Sequence, residues 1–200
     1  MKEDNIISLF PTPIQTSYLK PLSIKQLNKI KKIRKLEENS KDKNSYVLEE
    51  KIFKDLKKQI NQKINKYVET ILQPKKGLDF YITQSWFTWT GKNQYHYTHS
   101  HPNSIISGVY YVEADPTVDK ISFTKTIPDQ IKIYPEKFNI FNSDTWWLSV
   151  KTNSLIIFPS SLYHKVGDVP ETYNKRISLP FNVFAKGELG SNTTLTKLIL

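Results

Sequence analysis

The sequence changes character at Pro74, and this change constrains the fold more than any other feature. Before Pro74, the apolar residues between positions 47 and 73 recur with the spacing of one helix face. After it, short aromatic and β-branched runs are separated by Gly, Pro, Asn and Asp, a pattern typical of successive strands. This order predicts an α+β, mainly β fold, in which helices pack on one side of an antiparallel sandwich or barrel.

Two helices are predicted ahead of Pro74. Ser23 is a suitable N-cap for a helix to about Leu36, and the polar residues 37–45 predict a loop. A second helix is expected from Val47 to Gln73, where Pro74 would stop it. Its apolar positions are Leu48, Ile52, Leu56, Ile60, Ile64, Val68 and Ile71.

The strands are expected within six segments that follow Pro74. These segments are 79–91, 104–114, 120–126, 145–152, 154–160 and 176–185. The N-terminal stretch around Pro11 and Pro13 predicts a short strand or an extended arm. We expect a single domain over residues 1–200, with helical support at about 20–73 and the β core at about 78–185.

The composition and the net charge favour a soluble protein without a nucleic-acid or membrane partner. The formal net charge is +10, and much of it lies in the lysine-rich segment 20–76. Lysines on outer helix faces explain this charge better than a nucleic-acid or membrane partner, since acidic residues are interspersed. Without cysteine there is no disulfide or thiol nucleophile, and no apolar run could span a bilayer. We expect a soluble cytoplasmic protein, with a homodimer as one option.

Three of the four histidines crowd into six residues, at His96, His99 and His101. Residues i and i+2 of a strand share a face, so His99 and His101 could grip one metal ion. His96 has the opposite parity and is the weaker candidate, whereas His164 could supply a third ligand from another strand. Imidazole suits iron, zinc, copper or nickel, although half-buried structural histidines would give the same pattern.

A basic residue follows the distal histidine. Arg176 lies 12 positions after His164, and Ser178 shares its strand face. A guanidinium in an apolar strand is costly to bury unless it meets an anion, and it pairs well with a carboxylate. The alternatives are an arginine that points to solvent or pairs with an acidic side chain of the protein.

Two longer segments resemble the 2-oxoglutarate/Fe(II)-dependent oxygenases, in particular a small bacterial and phage group. They are HSHPNSIISGVYYV at 99–112 and FPSSLYHKV…RISLPFN at 158–182, and an early LFPTPI is also similar. The resemblance extends from about Leu9 to Phe184. It implies a double-stranded β-helix, or jelly roll, with Fe(II) and 2-oxoglutarate as cofactors, O₂ as a reactant, and a small-molecule or peptide substrate that is hydroxylated.

The resemblance also assigns roles to residues. His99 and His164 match iron ligands, Arg176 and Ser178 match the residues that bind the distal carboxylate of 2-oxoglutarate, and Tyr111 matches an inward tyrosine that contacts it. His101 stands where the superfamily has a carboxylate ligand. The metal ligands implied are therefore His99, His101 and His164, and the metal carries one more positive charge than usual.

This departure keeps other interpretations open. A three-histidine, cupin-like iron dioxygenase would work without 2-oxoglutarate, a jelly-roll binding module would keep the histidines only for structure, and a basic nucleic-acid-binding protein is a further alternative. Asn103 could support the metal ligands or serve only as a turn residue after Pro102. Trp86 and Trp89 could line the pocket or belong to the core.

Overall fold

The computed structural model describes residues 5–38, 43–91, 94–127, 129–167 and 176–200. Its α-helices are α1 (Ile24–Glu37) and α2 (Lys54–Tyr67). Its strands are β1 (Gln15–Tyr18), β2 (Asp79–Ser85), β3 (Thr88–Thr90), β4 (His96–His99), β5 (Ile106–Glu113), β6 (Lys120–Thr124), β7 (Thr145–Ser149), β8 (Ser154–Pro159), β9 (His164–Val166), β10 (Arg176–Lys186), β11 (Glu188–Leu189) and β12 (Leu198–Ile199).

The strands form two antiparallel sheets and a small hairpin. In the larger sheet the order is β1-β8-β5-β10-β2, and β3 also pairs with β10. In the smaller sheet the order is β4-β9-β6-β7, while β11 and β12 form the hairpin. This architecture confirms the predicted mainly β jelly-roll fold with N-terminal helices. Among the described residues, no helix is long and apolar enough to cross a membrane.

The central strands of the larger sheet are buried on both faces, which explains why they read as nearly continuous apolar runs. On one face, Tyr110 of β5 and Leu179 of β10 join a core shared with the helices, to which α2 contributes Leu56, Ile60 and Ile64. On the other face, Tyr111 of β5 and Phe158 of β8 pack with Ile121 and Phe123 of β6. This second core joins the two sheets, and the cavity described below lies beside it.

The first predicted helix is confirmed, and the second begins later than predicted. The side chain of Ser23 accepts a hydrogen bond from the N–H of Gln26, whose own side chain closes a capping box. The second segment starts as two 3₁₀ turns separated by extended backbone at Glu50, and α2 begins only at Lys54. These turns place Leu48 and Phe53 in the core, where they are 1% and 0% exposed.

The end of the second helical segment and the strands of the six predicted segments follow the prediction, whereas β4, β9, β11 and β12 lie outside those segments. After α2 a short π-helical turn, Val68–Leu72, leads to Gln73 in the left-handed conformation, immediately before Pro74. Each of the six predicted strand segments contains a strand or, for 79–91, two strands. The N-terminal stretch forms β1 after its second proline. The predicted loop at 37–45 lies partly outside the described residues.

Candidate metal and co-substrate site

A cavity of about 100 Å³ lies between the two sheets. Strand β10 supplies one wall, since Arg176, Ser178 and Pro180 alternate with core residues and point to this side. Strand β5 adds Val109 and Tyr111. The smaller sheet closes the opposite side with residues of β4, β6 and β9. The alternation along β10 therefore places the predicted Arg176 and Ser178 together in the cavity.

Three imidazoles meet at one end of the cavity. One nitrogen from each of His99, His101 and His164 lies within 4.8 Å of the other two. The Nε2 atoms of His101 and His164 are 3.3 Å apart. His99 and His164 are also directly paired across β4 and β9. The spacing of these three nitrogens is suited to one metal ion with imidazole ligands.

The backbone fixes which nitrogen faces the cluster. The Nδ1–H of His99 donates to the carbonyl of Tyr97 at 2.7 Å. The Nδ1–H of His164 donates to the carbonyl of Leu162 at 3.1 Å. Each bond leaves Nε2 without its proton and available as a metal ligand.

Burial keeps two of these imidazoles in the form that binds metal. It lowers the pKa of His101 to about 4, and the nearby His99 adds to this effect. It also lowers the pKa of His164 to about 4, although the hydrogen bond to Leu162 acts in the opposite direction. At neutral pH both side chains are therefore neutral, as metal ligation requires.

A buried polar network supports His101. The backbone N–H of His101 donates to the carbonyl of Ser160. A hydrogen bond between its imidazole and the Asn182 side chain raises the pKa of His101, against the effect of burial. The Asn182 side-chain oxygen accepts from the hydroxyl of Ser107, which is 2.8 Å from the hydroxyl of Ser160. The Ser160 hydroxyl in turn donates to Ser104. This chain of contacts restrains His101, which lies beyond the end of β4.

The other end of the cavity holds unpaired donors. Arg176 Nη1 donates to Asp119 Oδ1 at 2.8 Å, and the two side chains are only 3% and 2% exposed. Arg176 Nη2 and the hydroxyl of Tyr111 are buried without a hydrogen-bond partner among the described residues. Burial also raises the pKa of Tyr111, so its hydroxyl keeps its proton. Because such groups are costly to leave unpaired, they fit a carboxylate ligand that would accept from both.

The predicted site residues are thus brought together, with changes in detail. His99, His101, His164, Arg176, Ser178 and Tyr111 all line the cavity. The expectation that His99 and His101 lie on one regular strand is wrong. Strand β4 ends at His99, so His101 lies beyond it, next to the turn at Pro102 and Asn103.

The structure places the remaining candidate residues either in the cavity or away from it. His96 also lines the cavity but is not part of the three-imidazole cluster. Asn103 is an exposed turn residue with φ of 54°, so it does not support the ligands. Trp86 lines the cavity, with its ring centroid 6.2 Å from that of His101. Trp89 instead packs on Phe87 in the helix-side core.

Two residues of the site were missed by the sequence analysis. Asn182 has the same strand parity as Arg176 and Ser178, so the alternation along β10 could have identified it. Asp119 lies just before β6, and its contact with Arg176 joins positions 57 residues apart. No local pattern indicates that contact.

Comparisons with known proteins agree with this geometry. A family model described as "Putative 2OG-Fe(II) oxygenase" matches residues 84–182, which include the three histidines and Arg176. No curated protein matches the sequence.

Solved structures share the fold at low sequence identity. A Pseudomonas putida prolyl-4-hydroxylase has a TM-score of 0.56 and 13% identity, over 86% of each chain. HygX from Streptomyces hygroscopicus, solved with nickel and 2-oxoglutarate bound, has a TM-score of 0.54 and 10% identity, over 86% of this chain and 81% of its own. A Burkholderia pseudomallei oxidoreductase of the 2OG-Fe(II) oxygenase family has a TM-score of 0.45 and 11% identity, over 68% of this chain, and this chain spans about half of its length (53%).

Proposed function

We propose that this chain is a member of the 2OG-Fe(II) oxygenase superfamily, whose family model matches residues 84–182, and that it hydroxylates an organic substrate at the cavity between the two sheets. In this proposal His99, His101 and His164 hold Fe(II), and Arg176, Ser178 and Tyr111 hold the distal carboxylate of 2-oxoglutarate. Residues 1–200 would act as a single domain, with the helices supporting the larger sheet.

The observation that carries the proposal is the pairing of two unlike ends in one cavity. One end has three imidazole nitrogens within 4.8 Å of one another. The other has the buried, unpaired Nη2 of Arg176 and hydroxyl of Tyr111. A 2-oxo dicarboxylic acid has complementary ends, since its keto-acid group can chelate a metal and its second carboxylate can accept from both donors.

The cofactors supply the oxidation, and the protein supplies position and protection. Bound Fe(II) and 2-oxoglutarate would couple the oxidative decarboxylation of 2-oxoglutarate by O₂ to hydroxylation of a carbon–hydrogen bond. Arg176 and Tyr111 would fix the far end of 2-oxoglutarate, and the apolar Ile121 and Phe158 would limit the entry of water. The hydrogen bonds to Tyr97 and Leu162 would keep two imidazoles oriented towards the metal.

Access to the cluster indicates where the substrate would enter. His99 is exposed whereas His164 is 5% exposed, so the cluster opens to solvent on the side of His99. The proposed substrate is a small molecule or a side chain of a peptide that reaches the metal from this side.

The test is the visible absorption spectrum of the Fe(II)-loaded protein titrated with 2-oxoglutarate in the absence of oxygen. We expect a weak metal-to-ligand charge-transfer band that saturates with 2-oxoglutarate. The Tyr111→Phe variant should need more 2-oxoglutarate to reach saturation, because it lacks one unpaired donor. Tyr110→Phe is the matched control, since its hydroxyl bonds to Asn153 on the opposite face of β5 and its titration should be unchanged.

Two outcomes would contradict the proposal. Bound iron without the band would favour a dioxygenase that works without 2-oxoglutarate. A protein that binds no iron would return the three histidines to a structural role.

A further inference from the structure

A buried carboxylate lies behind Arg176, away from the three histidines of the cavity. Asp119 is 2% exposed and accepts from Arg176 at 2.8 Å. Its second oxygen accepts from the N–H of Asp115 at 2.8 Å, so both carboxylate oxygens are engaged. Arg176 keeps Nη2 free of any partner among the described residues. In this ion pair both carboxylate oxygens of Asp119 accept a hydrogen bond, whereas Nη2 of Arg176 has no partner among the described residues.

The position of this carboxylate changes how charge is distributed along the cavity. A metal site with two imidazoles and one carboxylate gives Fe(II) a net charge of about +1, whereas three neutral imidazoles leave it at about +2. An arginine without a partner gives the far end about +1, whereas Arg176 with Asp119 gives about zero. The total charge over the two ends is the same in both arrangements. In this chain, however, the metal end would be more positive by one unit and the Arg176 end less positive by one unit.

We propose that Asp119 is a positioning residue which holds Arg176 and supplies the negative charge that the metal ligands lack. The inference rests on the proposed function, since it concerns the same 2-oxo acid. The distal carboxylate would be bound by hydrogen bonds from Arg176 Nη2, Tyr111 and Ser178 at an end with no net charge. Asp119 would then lower the affinity for 2-oxoglutarate and reduce the preference for a charged tail over an uncharged one.

A purely structural Asp119 would give the opposite result when it is changed. If Asp119 served only to hold Arg176 in place, its loss would weaken the binding of 2-oxoglutarate. If its charge opposes the distal carboxylate, a neutral side chain of the same shape would strengthen binding. Asp119 and Arg176 are both buried, so solvent would screen a repulsion between Asp119 and a carboxylate bound to Arg176 only weakly.

The experiment measures binding to the Fe(II)-loaded protein without oxygen by isothermal titration calorimetry. Two probes of equal chain length are compared: 2-oxoglutarate, and 2-oxopentanoate, which lacks the distal carboxylate. In Asp119→Asn we expect 2-oxoglutarate to bind about tenfold tighter, because a buried like charge is removed. Binding of 2-oxopentanoate should stay within about twofold, since its uncharged tail does not interact with that charge.

Asp115→Asn is the matched control. It removes the same charge from the same loop between β5 and β6, but Asp115 is only partly buried whereas Asp119 is 2% exposed, so screening by solvent is stronger there. Its affinity for 2-oxoglutarate should stay close to that of the wild type.

The outcomes separate the two proposals. A wild-type protein that binds iron but not 2-oxoglutarate would contradict the proposed function. A wild-type protein that binds 2-oxoglutarate, with an Asp119→Asn variant that binds it equally or more weakly, would overturn only the inference about Asp119. If Asp119→Asn does not fold, Arg176→Gln is compared with the double variant Arg176→Gln/Asp119→Asn, which leaves no unpaired charge. The double variant should bind 2-oxoglutarate more tightly than the single one, and equal or weaker binding would overturn the inference.

Discussion

Replacing Arg176 by Met tests whether the pair with Asp119 is a buried ion pair in solution. Methionine keeps most of the apolar stem of arginine but removes its charge, so the Asp119 carboxylate would remain buried without a partner. Breaking a buried pair by removing one member costs about 3–5 kcal/mol, which is a large part of the stability of an ordinary domain. We expect the free energy of unfolding to fall by about this amount.

The assay is urea denaturation at pH 7 with a metal chelator present, followed by tryptophan fluorescence. Arg34→Met is the matched control, because Arg34 pairs with Glu38 on the surface of α1, where the side chains are 42% and 55% exposed. An exposed pair of this kind contributes about 0–1 kcal/mol. Both variants make the same substitution in an ion pair, so the difference between their losses in free energy of unfolding measures the effect of burial.

A double variant keeps the test decisive if Arg176→Met is too unstable to study. Arg176→Met/Asp119→Leu replaces the pair by apolar side chains and should recover most of the lost stability, because no charge is left unpaired. The reasoning is refuted if Arg176→Met costs no more than Arg34→Met, or if the double variant is less stable than the single one.

Three further predictions follow from the same structure. Gly108→Ala should lower the free energy of unfolding by about 1–3 kcal/mol, since its Cβ would lie 2.3 Å from the ring of Phe181. Gly167→Ala should not, since a Cβ there meets no atom of the described residues within 4 Å; equal melting temperatures of the two variants would contradict this. The pKa of His101 and of His164 is about 4 in the folded chain and 6.5 ordinarily, so the unfolded chain binds more protons between these values. The metal-free protein should therefore lose stability as the pH falls from 6.5 through about 4, and urea midpoints that do not change would argue against it. Asn182→Ala should weaken Co(II) binding about 10- to 100-fold through its contact with His101, with Gly167→Ala as the unaffected control; undiminished Co(II) affinity would exclude that support.

The strands were the most predictable part of the fold, for a physical reason. Central strands such as β5 and β8 are buried on both faces, so nearly every position is apolar or aromatic and the run is visible in the sequence. The start of α2 was not predictable from periodicity. The N–H of Leu48 donates to the hydroxyl of Ser85, and this contact across 37 residues accompanies the turn that interrupts the helix.

The candidate site was also predictable only where a local pattern fixes it. Parity along one strand was enough to place Arg176 and Ser178 together, because a strand imposes it locally. The partner of Arg176 was not predictable, since Asp119 lies 57 residues earlier, just before β6, which belongs to the other sheet. Whether the three histidines bind metal stays a prediction that the proposed spectrum tests.

The position of β4 at the edge of its sheet affects how the metal-free protein is expected to behave in solution. This four-residue strand is the terminal strand of its sheet, and it ends at one proposed ligand, which pairs directly with another on β9. A metal ion held by His99, His101 and His164 would act as a clip between the outermost strand and its neighbour. Without the ion, that strand is held by few hydrogen bonds, and a loosened edge strand can pair with the edge of another molecule. Preparations stripped of metal are therefore expected to self-associate more readily than loaded ones.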